Sequence, residues 1–448
     1  MLKQTLRGAA ARRSALAAAT LCLAQSAMAD DLLQVYEAAR AHDAGMQAAV
    51  ALLGSAEPRV AQAEALLRPT VNATGSANYT RSDPPSSVFD PVGSSTNSNA
   101  ANVSLTVRQP LFNRSASADI AKARAGLEIA RTEFEATTQD FIIRVAQAYF
   151  DVLNAQEVLV AAHANRTSVA SQLVAAQRNF EAGTGIITDV RDAQARHALA
   201  VAQELAAEND QRVSRLALSR LVGRPDVQPD PLATPVALPP IAPANSQAWV
   251  NAAADHPSNR RARFVLEAAR QDVERAKAQR LPTVDAVGSA GLGRNTGTGA
   301  ALPGTSRNAS IGVELIVPLF TGHATQSRIA ETRLLEERSE KDLEASRGAV
   351  AEATERAFFD LQSGQAQVKA LETAEVSARA SLEGTLLGFR AGVRLNLDVL
   401  NAQTLLFQTQ RDLARARYNV LMGHLKLRRA AGELKPEDLI AINQIIAR

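Results

Sequence analysis

Cysteine is nearly absent: Cys22 is the single one in 448 residues. That excludes a disulfide framework and thiolate chemistry, so stability has to come from packing or assembly. Leu21 precedes it, where a lipoprotein cleavage site wants a small residue, so Cys22 is not a lipid anchor either. Aromatic residues are only 4% of the chain, and the lone Trp249 and the stretch AYFDVL read as packing aromatics. Beyond residue 29 no run of 18 or more apolar residues occurs. This excludes a membrane-spanning helix and leaves a β-barrel or a surface anchor as ways into a bilayer. An excess of one charge is lacking too. Four of the 49 Lys and Arg lie in residues 1–29 and none of the 46 Asp and Glu, so the remainder carries 45 basic against 46 acidic residues. A net charge near −1 offers no electrostatic case for nucleic acid.

The N-terminus is built for export. Lys3, Arg7, Arg12 and Arg13 precede an apolar run and the small-x-small site Ala27-Met28-Ala29 before Asp30. That is the layout of a cleaved signal peptide over residues 1–29.

The period then changes along the chain. From Asp31 to Leu67 an Ala-rich stretch broken by Gly45, Gly54 and Pro58 predicts two short helices. Val71, Ala73, Gly75, Ala77 and Tyr79 alternate with Asn72, Thr74, Ser76, Asn78 and Thr80, which predicts a strand over about 70–80. A Pro, Ser and Asn loop over 81–100 separates it from a second strand at about 101–110. Proline is missing from about 114–180 and glycine occurs there once, as Gly126, so the expectation is one continuous helix of roughly 100 Å. Gly183 supplies a left-handed stop, and a helix returns over about 188–222. The connection is short, so these helices form an antiparallel hairpin.

The same order recurs. Residues 30–223 form a first structural repeat, 224–250 a Pro-rich linker and 251–432 a second repeat, with a tail at 433–448. The second copy has a helix from Asp255 to Arg280, strands at about 283–294 and 307–317 around a loop at 295–306, a proline-free helix at about 323–390, a turn at Gly392 and a return helix at about 397–429. The two turns nearly copy each other: FEAGTGIITDV at 180–190 and FRAGVRLNLDV at 389–399. LRPTVNATGSA echoes LPTVDAVGSA, QPLF echoes VPLF, and AYFDVL echoes AFFDLQ. Internal duplication of this length points to two copies of one unit packed by symmetry.

Each alternating segment is about ten residues, enough to cross a bilayer as a tilted strand, with one apolar face and one of Asn, Thr, Ser and Arg. Four strands cannot close a membrane barrel, which needs about eight or more. An open sheet edge in lipid leaves backbone groups unsatisfied at several kcal/mol each. Several chains must therefore share one barrel, and a trimer supplies twelve strands. The abundant alanines suit close packing of the long helices in an extended coiled coil.

The motifs PTVNATGSA with PTVDAVGSA, QPLF with VPLF, AYFDVLNAQ, the paired Ala-Gly turns and the C-terminal ARYNVLMGHLKLRRAAGELKPEDL resemble the TolC family of outer-membrane channel proteins, in its secretion and efflux branch around TolC itself. The resemblance covers nearly all of the mature chain. It implies an α+β membrane protein: a homotrimer with a twelve-stranded β-barrel in the outer membrane, a long α-helical coiled-coil barrel in the Gram-negative periplasm, and an equatorial belt taking in 224–250 and the segment after Gly432. It also implies a passive exit channel for drugs or proteins, without catalytic activity or cofactor. The partners would be a periplasmic adaptor (membrane fusion) protein and an inner-membrane ABC, RND or MFS transporter.

On the same resemblance the two Ala-Gly turns, at Gly183 and Gly392, are hairpin tips around a periplasmic aperture. Asp189 and Arg394 match the partners of one polar link. Phe389 stands where the family has a tyrosine, Asp398 matches one aspartate ring, and Asn401 falls at a second ring position without the charge. A ring of carboxylates in a narrow pore lowers the potential for cations. On local grounds alone, Asp189 and Asp398 also suit the first turn of a helix.

No catalytic constellation is visible. The six histidines are scattered and read as helix-surface residues, with no pair at metal-ligand spacing. Gly288, Gly291 and Gly293 sit in an alternating strand and so do not make a phosphate loop. A periplasmic coiled-coil adaptor is the alternative reading. One hairpin would suffice for that role, and the four alternating segments would be unexplained.

Overall fold

The computed structural model describes residues 30–83, 95–225, 227–231, 238–298 and 303–446. The expected signal peptide at 1–29 lies outside the described residues, as do the middles of both strand-connecting loops. The chain divides into two compact units. One comprises Ala49–Ala136 and Pro257–Ala349, the other Met1–Ala48, Thr137–His256 and Val350–Arg448.

The first unit holds all four strands: β1 (Thr70–Ser82), β2 (Thr96–Phe112), β3 (Thr283–Thr296) and β4 (Gly304–Ile316). They form one antiparallel sheet in the order β1-β2-β3-β4. β1 and β2 reach further toward their connecting loop than the alternating stretch predicts, because Asn and Ser pair as well as apolar residues once the ladder has begun. The register aligns the faces across strands. Val71, Val107, Gly288 and Ile311 share one row and Ala73, Leu105, Ala290 and Ala309 the next, all on one face. Asn72, Thr106, Ser289 and Ser310 form a row on the opposite face. That face carries its own hydrogen bonds, Thr74 with Ser104 at 2.7 Å and Ser289 with Ser310 at 2.8 Å. Arg108 also lies on it, with Asp285 at 2.5 Å and Glu314 at 3.4 Å.

Both faces are open. β1 and β4 are exposed along their whole lengths, and Ile311 is 92% exposed on the apolar face. Gly291 and Gly293 have a packing role here. A Cβ on Gly291 would stand 2.6 Å from the Asn308 Oδ1, and one on Gly293 2.7 Å from the Asn102 Oδ1. The glycines make room for polar side chains of the neighbouring strands.

Helix α6 (Pro257–Ala278) lies in the same unit, tied by ion pairs to the opening turns of α3 (Arg114–Glu181) and α7 (Ala324–Arg390). Lys122 meets Asp272 at 2.8 Å, Arg261 meets Glu133 at 2.7 Å, and Arg270 meets Glu336 at 3.5 Å. The 68 residues of α3 form one uninterrupted helix, as the absence of proline dictates.

The second unit packs the remainder of α3 and α7 with α4 (Ile187–Val222) and α8 (Asn396–Ala430), and adds α1 (Leu32–His42), α5 (Ser246–Ala252) and α9 (Asp438–Ile446). The helix α2 (Ala44–Ala65) follows α1 and carries Pro58 inside it. Gly45, Gly54 and Pro58 were expected to break the segment, whereas the break falls at Asp43. The proline ring faces the carbonyl of Gly54, a residue without a side chain to crowd it.

Most of the scarce aromatics gather in this unit. Tyr36 stacks at 5.6 Å on Phe141, Tyr149 at 5.8 Å on Phe150, and Phe150 at 5.9 Å on Tyr418, all buried. The Tyr149 hydroxyl donates to the Asp30 carbonyl at 3.2 Å and accepts from the Asp230 N–H at 3.0 Å, fastening the segment before α1 and the linker to α3. Tyr418 donates to Glu157 at 2.5 Å. Burial, followed by the charge of Glu157, pushes its phenol well above the usual range. Trp249 packs with Phe358, Leu361 and Leu427, and its Nε1 donates to the Pro243 carbonyl at 2.9 Å. The two aromatic echoes differ: Phe150 is buried, while its counterpart Phe359 is 54% exposed.

Candidate functional site

Both hairpin tips belong to the helical unit, and the same backbone device makes each of them. Helix α3 ends where Gly183 takes φ 73°, and α7 ends where Gly392 takes φ 76°, conformations that cost a side chain about 1–2 kcal/mol. In the first turn the N–H groups of Gly183 and Gly185 donate to the carbonyls of Phe180 and Asn179. In the second, Gly392 and Arg394 donate to Phe389 and Gly388 in the same pattern. These are the reciprocal closing bonds of a glycine-terminated helix.

The turns part company in side-chain size. A Cβ on Gly185 would meet the Asn179 Cβ at 3.1 Å, while one on Gly388 would meet the Arg394 Cγ at 2.8 Å. Small and large residues have exchanged places. Gly388 gives the arginine stem a bed, and the guanidinium extends from it at the tip.

Asp189 and Asp398 both occupy the third residue of their helices, α4 and α8. The carboxylate of Asp398 accepts from the Leu395 N–H at 3.2 Å, which supports the helix start. Its Oδ2 also lies 3.8 Å from Arg394 Nη1. Within the protomer Arg394 therefore turns to Asp398 and not to Asp189, which has no ion-pair partner among the described residues. Phe389 is half-buried at the last turn of α7.

Asn401 is exposed one turn further along α8, and the structure gives it a partner that the sequence reading missed. Arg196 of α4 donates from Nη2 to the Asn401 Oδ1 at 2.6 Å and from Nη1 to the Thr404 Oγ1 at 3.3 Å. One guanidinium thus spans the two hairpins. An apolar cluster behind it, made of Val169, Ala176, Val190, Ala193 and Leu400, packs the hairpins together with side chains of both. Further along the same hairpins, Glu204 is buried between His163 at 2.7 Å and Arg166 at 2.9 Å. No local pattern marks Arg196, since its partners stand more than 200 positions away. Gly388 could have been found by setting the two turns in register.

The arrangement offers hydrogen-bonded links between the hairpins and a carboxylate at the start of α8. Among the described residues no group of three or more His, Cys, Asp or Glu is placed to hold a metal. None of the described helices is long and apolar enough to cross a membrane. His256 and His424 are half-buried, not on the helix surface as expected, and burial lowers both below the usual imidazole range.

A family described as "Outer membrane efflux protein" matches residues 35–224 and 249–433. The outer membrane protein TolC of Vibrio cholerae is 30% identical over 424 residues, covering 94% of this chain and 95% of that protein. The alkaline protease secretion protein AprF of Pseudomonas aeruginosa is 32% identical, over 75% of this chain and 70% of its own length. Among solved structures, the outer membrane protein VceC of Vibrio cholerae shares the fold with a TM-score of 0.74 at 21% identity, covering 90% of this chain and 96% of that one.

Proposed function

The chain belongs to the outer membrane efflux protein family, and we propose that three copies of it build the exit duct of a tripartite efflux or type I secretion system. It resides in the outer membrane as a channel. An inner-membrane transporter drives the cargo, a periplasmic adaptor recruits the duct, and the duct conducts passively with no catalytic step of its own.

The observation that carries the proposal is the four-stranded sheet. Its apolar face is bare, its other face is lined by hydroxyls, amides and the Arg108 cluster, and the outer edges of β1 and β4 have no partner strand among the described residues. In water such an apolar face invites aggregation. In lipid it is the outer wall of a barrel, with the polar face toward the lumen. Pairing β4 of one copy with β1 of the next satisfies both edges, and three copies close twelve strands without an edge left in the hydrocarbon. A periplasmic adaptor would have no use for this sheet.

The tips are then the closed end. Asp398 from three copies forms one carboxylate ring, partly neutralised by its own Arg394. Asn401 leaves the next layer uncharged and serves instead as the acceptor for Arg196. Exposed links of this kind are worth up to about 1 kcal/mol each, so several of them hold a gate that adaptor contact can release.

The test is fractionation and electrophysiology of the mature chain. A heat-modifiable trimer in outer-membrane fractions that conducts in planar bilayers is expected. A monomer that stays soluble without detergent would overturn the proposal.

A further inference from the structure

The sheet carries four arginines, one per strand, and they divide into two kinds. Arg108 on the polar face has Asp285 and Glu314, and Arg81 has Asp83 at 3.2 Å. Arg294 and Arg307 are exposed and make no ion pair with any described residue. The register puts both on the apolar face. Arg307 faces Leu292 in the row of Gly75 and Val103, and Arg294 faces Thr305 and Ala101 in the next row. They are diagonal neighbours on adjacent strands, about 7–8 Å apart.

Their height on the sheet matters as much as their pairing. From Leu315, through Val313, Ile311 and Ala309, to Arg307 is eight residues, about 27 Å along the strand. At the usual tilt of barrel strands, about 35–45°, this rises about 19–22 Å, most of the apolar band of a membrane barrel, about 25 Å tall, and Arg294 stands one row higher. The two arginines therefore stand at the upper rim of that band, at the end where β1 joins β2 and β3 joins β4, with Tyr79 two rows beyond Arg307. The strand that would pair with the free edge of β4 is β1 of the next copy, and Thr70–Ser82 contains no acidic residue.

We propose that Arg294 and Arg307 together bind the phosphate of an anionic lipid headgroup in the outer leaflet, one such site on each protomer. Two adjacent like charges on a lipid-facing surface repel unless an anion lies between them. Guanidinium forks from two strands match the oxygens of a phosphate monoester. The inference rests on the barrel reading above and adds to it a lipid specificity and a seam near β4 where that lipid would seat.

The experiment titrates the delipidated trimer, in neutral detergent, with bisphosphorylated lipid A, with dephosphorylated lipid A and with inorganic phosphate, and counts bound lipid by native mass spectrometry. The wild type is expected to retain the phosphorylated lipid selectively and to keep it in millimolar inorganic phosphate. In the double variant Arg294→Gln, Arg307→Gln retention is expected to weaken on the order of 30-fold, from about fivefold for each arginine near a charged membrane surface. Equal retention of the two lipids by the wild type, equal retention by wild type and variant, or release by inorganic phosphate would each overturn the assignment. Should the variant not fold, the wild-type arms decide alone. Failure of the barrel reading is distinguishable, because the wild type would then not insert as a conducting trimer into neutral phosphatidylcholine bilayers.

Discussion

Replacing Arg196 by alanine removes a side chain that reaches from α4 to two acceptors on α8, at 2.6 Å and 3.3 Å. In a buried setting a hydrogen bond to a charged group is worth about 1.5–3 kcal/mol. Here water competes for the guanidinium, so the value for exposed ionic links, about 0.5–1 kcal/mol per protomer, is the better guide. Three protomers in one gate sum to about 1.5–3 kcal/mol if all three bridges break on opening, and each 1.4 kcal/mol is tenfold in an equilibrium. Arg196→Ala is therefore expected to raise the open-to-closed ratio by roughly 10- to 100-fold. Planar-bilayer recordings would show longer or larger openings, and cells would admit large antibiotics that the closed tip excludes. The melting temperature should hardly move, because the apolar cluster around Leu400 remains intact. Arg196→Lys, which keeps the charge but loses the fork, should fall between the two. Conductance and uptake identical to wild type in Arg196→Ala would show that the bridge plays no part in holding the tips.

The other expectations follow from the same geometry. Arg394→Ser should raise conductance and strengthen cation preference by unmasking Asp398, whereas Asp398→Ala should reduce cation preference, both read from reversal potentials in a salt gradient. Gly388→Ala should act in the direction of Arg394→Ser, since the new Cβ takes the place of the arginine stem, while improving helix propensity by up to about 1 kcal/mol; unaltered conductance would separate Arg394 from its bed. Ile311→Arg, on the apolar face, should destabilise the assembled barrel by about 2–4 kcal/mol, and Ser310→Arg, on the opposite face, far less, as measured by unfolding from lipid vesicles. His256 and His424 are held below their unfolded value by burial, so the unfolded chain takes up their protons first as pH falls. Their contribution is complete above about pH 6.5 and is lost progressively below it, down to the depressed folded values. Thermal melts of the wild type should therefore decline from pH 7.5 to 5.5, with a shallower slope in His424→Gln.

Much of this molecule could be read before any coordinates. Alternation in 71–79 and 103–107, the proline-free runs and the glycines at 183 and 392 are local statements, and local sterics answer them: a two-residue period makes a strand, an unbroken run of helix formers makes a helix, and a left-handed stop needs glycine. Segment ends were less legible where tertiary pairing extended a ladder, as at the loop ends of β1 and β2, or where a helix ran through Pro58. The tip residues Asp189, Arg394, Asp398 and Asn401 were found by likeness between the two turns and to a family. Their partners were not, because a side chain's partner depends on distance across the fold.

What the chain itself determined is its inventory: echoed motifs in its two halves, four alternating segments, and glycine turns placed to reverse two long helices. Only the tertiary structure decided which charges are satisfied. Arg196 finds Asn401 and Thr404, Arg394 bends back to Asp398, Arg108 sits between Asp285 and Glu314, and Arg294 and Arg307 are left exposed with no ion pair among the described residues. Neutralisation is a matter of a few ångströms between residues far apart along the chain, and strand register and hairpin packing set those few ångströms.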